Sequence, residues 1–301
     1  MHIAQEVSAM SFICTICPRQ CGAQRTETEN RNGYCSMPEA PIAARAALHF
    51  GEEPCISGTQ GSGTVFFSGC SLGCAFCQNE SISHKRFGKP ITVERLADIF
   101  RGLEQAGAHN INLVNPTHYA VSVCKALSLY KPSVPVLYNS GGYERVETLK
   151  MLEGLVDVYL PDCKYVDSTL SAILSDAPNY FEFASKAIQE MVRQTGPVTL
   201  DENGIISNGT IVRHLVLPGH TCNSIDVLDW LATVKDVWVS LMFQYTPCGN
   251  LANHKELQRP LTRRECDKVW GHLSDLGLQG YVQDRKSNGT EMIPSFDLTG
   301  I

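Results

Sequence analysis

The sequence predicts an α/β protein built on a mostly parallel sheet, and three observations carry that expectation. Six short apolar, β-rich runs follow one another from residue 64 onward: 64–67, 110–114, 134–138, 156–160, 211–217 and 237–243. Crossovers of a dozen or more residues separate them, the length that parallel pairing requires. Helical periodicity fills several of those crossovers. In the first, Leu96, Ile99, Phe100 and Leu103 fall on one face, Thr92 is placed to cap the helix start, and Gly107 to end it. The stretch 166–208 reads as an enlarged crossover, with two helical patterns and then a polar hairpin at Asp201-Glu202-Asn203-Gly204. An open sheet and a partial barrel both satisfy this pattern. Residues 1–57 show neither period and are rich in Cys, Gly and Pro, which suggests a small metal-binding module. Residues 58–250 then form the core, and 251–301 a C-terminal helical extension that completes it. No internal repeat is visible.

Composition narrows the function classes. The 301 residues are 43% hydrophobic and 19% charged, ordinary for a globular chain. Lys and Arg number 25 against 31 Asp and Glu, a net charge of -6 that gives no support for a nucleic-acid surface. No apolar stretch is long enough to span a membrane, and the opening MHIAQEVSAMSF lacks the pattern of a secretory leader. Cysteine is the unusual count, at 13. An odd number without a leader predicts reduced thiols and metal ligation, hence a cytoplasmic protein without membrane or nucleic-acid partners.

Seven of the cysteines cluster. The sharper group is Cys70-Ser-Leu-Gly-Cys74-Ala-Phe-Cys77, just after the first β-rich run, where α/β folds gather functional loops. Gly69 and Gly73 allow the loop to curl so that three thiolates face one centre. An iron–sulfur cluster normally takes four thiolates, so three leave one iron open to a ligand. Three structural or core cysteines are the plainer alternative. The second group, Cys14, Cys17, Cys21 and Cys35, offers four soft ligands and suits structural zinc or a closed second iron–sulfur cluster.

Cys70-x3-Cys74-x2-Cys77, with Phe76 before the last cysteine, resembles the cluster motif of the radical S-adenosylmethionine (SAM) superfamily. The resemblance implies a partial (β/α)6 barrel and a [4Fe-4S] cluster on those three cysteines. It also implies that SAM chelates the open iron through its methionyl amine and carboxylate. Reductive cleavage would then give a 5′-deoxyadenosyl radical that abstracts hydrogen. Longer stretches are similar to the pyruvate formate-lyase activating enzyme-like branch, in particular its PflX group. They include Cys17-Pro18-Arg19-Gln20-Cys21-Gly22, His49-Phe50-Gly51-Glu52-Glu53-Pro54, Phe76-Cys77-Gln78-Asn79, Leu160-Pro161-Asp162-Cys163-Lys164-Tyr165 and Arg213-His214-Leu215-Val216-Leu217-Pro218-Gly219.

That branch implies roles at the strand ends. Asn115 or Thr117 would accept from the methionyl ammonium, in place of the Gly-Gly-Glu usual in activating enzymes. Asn139 and Ser140 stand where activases carry Asp-Thr-Asn-Gly. Asp162 and Lys164 match an Asp-Leu-Lys motif, and Arg213 matches an arginine that approaches SAM. A loop turn, a glycine turn and a surface ion pair are the ordinary readings of the first three sites. Gln244 replaces a frequent histidine. The implied activity is that of an oxidoreductase removing hydrogen from a protein glycine, a glycyl-radical activase, with flavodoxin or ferredoxin as electron donor. A small-molecule or peptide substrate is the alternative, and a non-catalytic iron–sulfur electron carrier a second. Cys163, beside Lys164, is the isolated cysteine whose reactivity the sequence leaves open.

Overall fold

All six β-rich runs are strands in the computed structural model, which describes residues 12–283 and 294–301. The opening MHIAQEVSAMSF lies outside those residues except for its last, Phe12. The strands are Ser62–Phe67, Ile111–Val114, Val136–Ser140, Val158–Pro161, Ile206–Leu215 and Val237–Met242. Each lies parallel to the next in chain order, and a seventh strand, Gly280–Gln283, extends the series. Six strand–crossover units thus curve into a partial barrel. Among the described residues its two edges do not pair, so the barrel stays open.

The helices form as their sequences direct. Thr92 caps Val93–Gln105 by accepting from Arg95 N at 3.1 Å, and the helix buries Leu96, Ala97, Ile99, Phe100 and Leu103. Each large side chain buried this way contributes about 1.5–3 kcal/mol. The long crossover holds helices Ser168–Ser175 and Tyr180–Thr195, followed by a hairpin in which Thr199–Leu200 pairs with the start of Ile206–Leu215.

Two strands of four or more residues lie where the sequence pattern gives no strand. Ile42–His49 runs antiparallel to Ser62–Phe67, so the main sheet begins ahead of residue 58. Four of its eight residues are alanine, a poor strand signal; they fit here because Ala43 and Ala44 are fully buried. Gly280–Gln283 lies in the segment expected to be helical, which also contains helix Arg263–Leu276. The tail returns beside Ile42–His49, with Ala46 N donating to Thr299 O at 2.8 Å.

The cysteine-rich module carries a small antiparallel sheet of Phe12–Ile13, Gln24–Arg25 and Asn30–Arg31. Inside the barrel, Leu137, Val158, Leu160 and Ile211 pack on Cys55 and Ile56 of helix Pro54–Ser57. That plug fills the interior with apolar side chains. Polar side chains gather instead at the C-terminal strand ends, where ligands of parallel α/β folds bind.

Candidate active site

The strand Ser62–Phe67 delivers the chain into the cysteine loop through Ser68 and Gly69, the glycine at φ 84°. Each thiol there has a polar neighbour. Leu72 N donates to Cys70 Sγ at 3.3 Å, and Ser175 Oγ to Cys74 Sγ at 3.0 Å. Cys77 Sγ lies 3.2 Å from Ser83 Oγ. Burial pushes Cys70 up to about 12 and raises Cys74 and Cys77 as well, despite the opposing pull of Lys164. Thiols held so high ionise at neutral pH only when a cation binds them, which is what iron does. Among the described residues no three or more His, Cys, Asp or Glu side chains converge on a single-ion centre. A cluster, in which each thiolate binds its own iron, asks for wider spacing.

The three cysteines line one cavity of about 240 Å³. Asn115, Asn139, Ser140, Asp162, Lys164, Arg213 and Gln244 line it with them. Thr117 does not. It is buried and donates to Glu144 Oε1 at 2.5 Å. Asn115 has a left-handed backbone, φ 58°, and its Nδ2 donates to Gly69 O at 2.5 Å, tying the second strand end to the cysteine loop. Gly142 brings Ser140 against the next strand: a Cβ there would lie 2.0 Å from the Asp162 carbonyl oxygen.

The charged side chains form a closed set. Lys164 Nζ donates to Asp162 Oδ2 at 2.5 Å. Arg213 reaches Asp162 Oδ1 at 3.3 Å through Nε, Glu52 Oε2 at 3.2 Å through Nη1, and Asn139 Oδ1 at 2.6 Å through Nη2. Burial works against ionisation of Asp162, but Lys164 and Arg213 outweigh it and hold the carboxyl below its usual range. Glu52 goes the other way: burial pushes it up to about 7, against the pull of Arg213. Arg213, expected to meet a ligand carboxylate, thus has two carboxylates of its own chain. Glu52 is a site residue absent from the sequence-predicted set. Its only sequence signal is its place in the His49–Pro54 stretch.

His118 is buried and its Nε2 lies 2.8 Å from the Ser68 carbonyl oxygen, 50 residues earlier in the chain. Cys163 is fully buried, and burial raises its thiol against the weaker pull of Lys164, so this cysteine is not activated.

Comparison with known proteins agrees with this geometry. The family described as a 4Fe-4S single cluster domain matches residues 57–165, the stretch that carries all three loop cysteines. The uncharacterized protein MJ0674 of Methanocaldococcus jannaschii is 31% identical over 267 residues, covering 85% of this chain and 72% of the archaeal one. That level of identity and coverage places the two in one family. The crystal structure of Streptococcus suis SuiB bound to its precursor peptide SuiA aligns with a TM-score of 0.51 at 12% identity, over 72% of this chain and 47% of SuiB. SuiB bound to S-adenosylmethionine aligns at 0.50 and 13%, over 75% and 49%. The chain spans about half of SuiB's length, and the likeness is one of fold alone. The chain belongs to the family of that archaeal protein.

The fold is therefore the expected partial (β/α)6 barrel with a small cysteine-rich module ahead of it. The match to a 4Fe-4S single cluster domain includes all three loop cysteines, and a pocket walled by three thiols with polar strand ends beside them fits such a cluster. In the module, Cys14 and Cys17 are buried, Cys35 is half-buried and Cys21 exposed. Burial pushes Cys17 up to about 12 and also raises Cys35, with smaller raising contributions from other cysteines of the group. Among the described residues no helix is long and apolar enough to cross a membrane.

Proposed function

We propose that this protein is a radical SAM enzyme that holds a [4Fe-4S] cluster and SAM, an activating-enzyme-like oxidoreductase of the PflX group that takes hydrogen from a protein glycine. The observation that carries the reading is the convergence of Cys70, Cys74 and Cys77 with seven polar side chains at and near the strand ends in one cavity. When bound, the cluster and SAM supply one-electron cleavage of a sulfonium and a carbon radical able to abstract hydrogen.

The chain's own residues position and enclose. Cys70, Cys74 and Cys77 hold the cluster by three of its irons. Asn115 and Ser140 offer oxygen acceptors to a methionyl ammonium at neighbouring strand ends. The Lys164–Asp162 pair stands beside Cys74, and Arg213 fixes Asp162, Asn139 and Glu52 relative to one another. Leu72, Phe76, Leu215 and Met242 supply apolar wall that keeps water from a reactive radical. A second cavity of about 450 Å³ adjoins the first and shares Asn139, Arg213 and Gln244 with it, which makes it the place for the hydrogen donor. Flavodoxin or ferredoxin is the electron donor in this reading, and Cys14, Cys17, Cys21 and Cys35 hold zinc or a second cluster.

The second cavity also favours a second reading, a small molecule or peptide as hydrogen donor, because it has room for a bound ligand. An electron carrier is the weaker alternative, since it has no use for the charged strand ends. The test is anaerobic reconstitution with iron, sulfide and reductant, followed by SAM. Release of 5′-deoxyadenosine is the expected result, and none from a fully loaded protein refutes the enzyme. A glycyl doublet in electron paramagnetic resonance on adding a glycyl radical enzyme supports the activase; uptake of hydrogen from a peptide or small molecule instead selects the second reading.

A further inference from the structure

The cysteine-rich module stands against the cluster loop at three alternate positions. A Cβ at Gly69 would lie 2.2 Å from Met37 Cγ, and one at Gly73 would lie 2.6 Å from the Tyr34 hydroxyl. Between them, Arg19 Nε donates to the Ser71 carbonyl at 2.8 Å. The two glycines therefore do more than let the loop curl: they leave the space that the module fills.

Arg19 also reaches the opposite support of the loop. Its Nη1 donates to the Asp176 carbonyl at 2.5 Å, and Asp176 ends helix Ser168–Ser175 in the left-handed conformation. That helix end holds the loop directly. Gly73 N donates to Ser175 O at 3.1 Å and Ala75 N to Leu174 O at 2.9 Å. Ser175 Oγ donates to Cys74 Sγ at 3.0 Å. One guanidinium thus fastens the module, the loop and the helix together, and its plane lies 3.7 Å from the centre of the Tyr34 ring. Its side chain is 13% exposed, and its nearest carboxylate oxygen, on Asp176, is 3.7 Å away in a side chain 69% exposed. The planar fork is what allows several carbonyls to be held at once; a lysine ammonium would not reproduce it.

All three bracing residues sit close to cysteines of the four-cysteine group. Arg19 lies between Cys17 and Cys21, Tyr34 beside Cys35, and Met37 two residues beyond it. Any metal that fixes those cysteines fixes the backbone that carries the brace. We propose that the four-cysteine module braces the catalytic loop through Arg19 and Tyr34, with Arg19 a positioning residue that acts through Ser71 and Asp176. The inference rests on the reading of Cys70, Cys74 and Cys77 as cluster ligands, although the brace itself consists of contacts within the chain.

Hydrogen exchange and redox titration of the loaded protein test it, with Arg19→Ala, Arg19→Lys and Cys17→Ser compared with wild type. Loss of charge-assisted hydrogen bonds predicts exchange roughly tenfold or more faster across residues 70–77 in Arg19→Ala. Arg19→Lys should fall between, and Cys17→Ser should loosen the same segment. Unchanged exchange in helix Val93–Gln105 shows that each variant remains folded. Removing the cation should also move the cluster's midpoint potential to a more negative value in Arg19→Ala, a change that loosening alone does not dictate in sign. Wild-type exchange and potential in Arg19→Ala overturn the proposal, as does wild-type loop protection in Cys17→Ser. Should wild type bind no cluster on the three loop cysteines, the functional reading fails, and the exchange comparison on the same proteins still decides the brace.

Discussion

Replacing Arg213 with methionine removes the one side chain that ties three strand ends together while keeping a similar length. The guanidinium contacts Glu52 at 3.2 Å, Asp162 at 3.3 Å and Asn139 at 2.6 Å, and the two carboxylate side chains are only 10% and 17% exposed. Lys164 still neutralises Asp162 in the variant, so Glu52 is the group left without a cation. Breaking a buried ion pair by deleting one partner costs about 3–5 kcal/mol. The cost depends on pH in a definite direction. Burial already raises Glu52 to about 7, and losing Arg213 raises it further. A carboxyl raised above its unfolded value stabilises the fold at low pH and loses that contribution as pH rises toward the folded value. The variant should therefore lose most relative to wild type near pH 8 and least near pH 6. Urea unfolding followed by circular dichroism at both values measures this. A loss below about 1 kcal/mol at pH 8, or a larger loss at pH 6, would refute the reasoning.

Two further outcomes follow from single observations. Glu144 is buried and raised by burial to about 7, with Thr117 and Tyr138 donating to it. Ionising it costs on the order of 3 kcal/mol between its unfolded pKa and that value, so Glu144→Gln should flatten the fall in stability from about pH 5 to pH 8; an unchanged pH profile counts against the assignment. At Gly142, φ 75° and the 2.0 Å approach of Asp162 O leave no room for a side chain. Gly142→Ala should cost roughly 1–3 kcal/mol and weaken SAM binding at least severalfold, which calorimetry reads; wild-type affinity would show that the strand end is not held by this contact.

Much of the barrel was legible because its strands are covered on both faces and read as continuous apolar runs. Thr92 and the stripe from Leu96 to Leu103 announce their helix by local rules alone. Ile42–His49 is hidden by its alanines, which are small because the surrounding elements pack closely, a tertiary reason that no local propensity encodes. Gly280–Gln283 is hidden by its length and its opening glycine, whose Cβ would lie 2.0 Å from Val239 O. In the site, the thiols and Asp162, Lys164 and Arg213 stand at strand ends that the runs already locate. Glu52 and Glu144 do not, since their roles depend on Arg213 and Thr117, far away in sequence. Thr117 shows the converse: proximity to a strand end suggested a ligand contact, but its side chain turns to the buried Glu144. Arg19 lay in view within a cysteine motif, yet its partner Ser71 is 52 residues on.

The most direct test is the electron paramagnetic resonance spectrum of the reduced, reconstituted protein before and after adding SAM. An open iron on a cluster held by Cys70, Cys74 and Cys77 predicts a spectrum that changes when SAM binds, and a signal that disappears in Cys70→Ala but persists in Cys14→Ala. A reduced cluster whose spectrum is the same with and without SAM, or one that survives Cys70→Ala intact, would contradict the account.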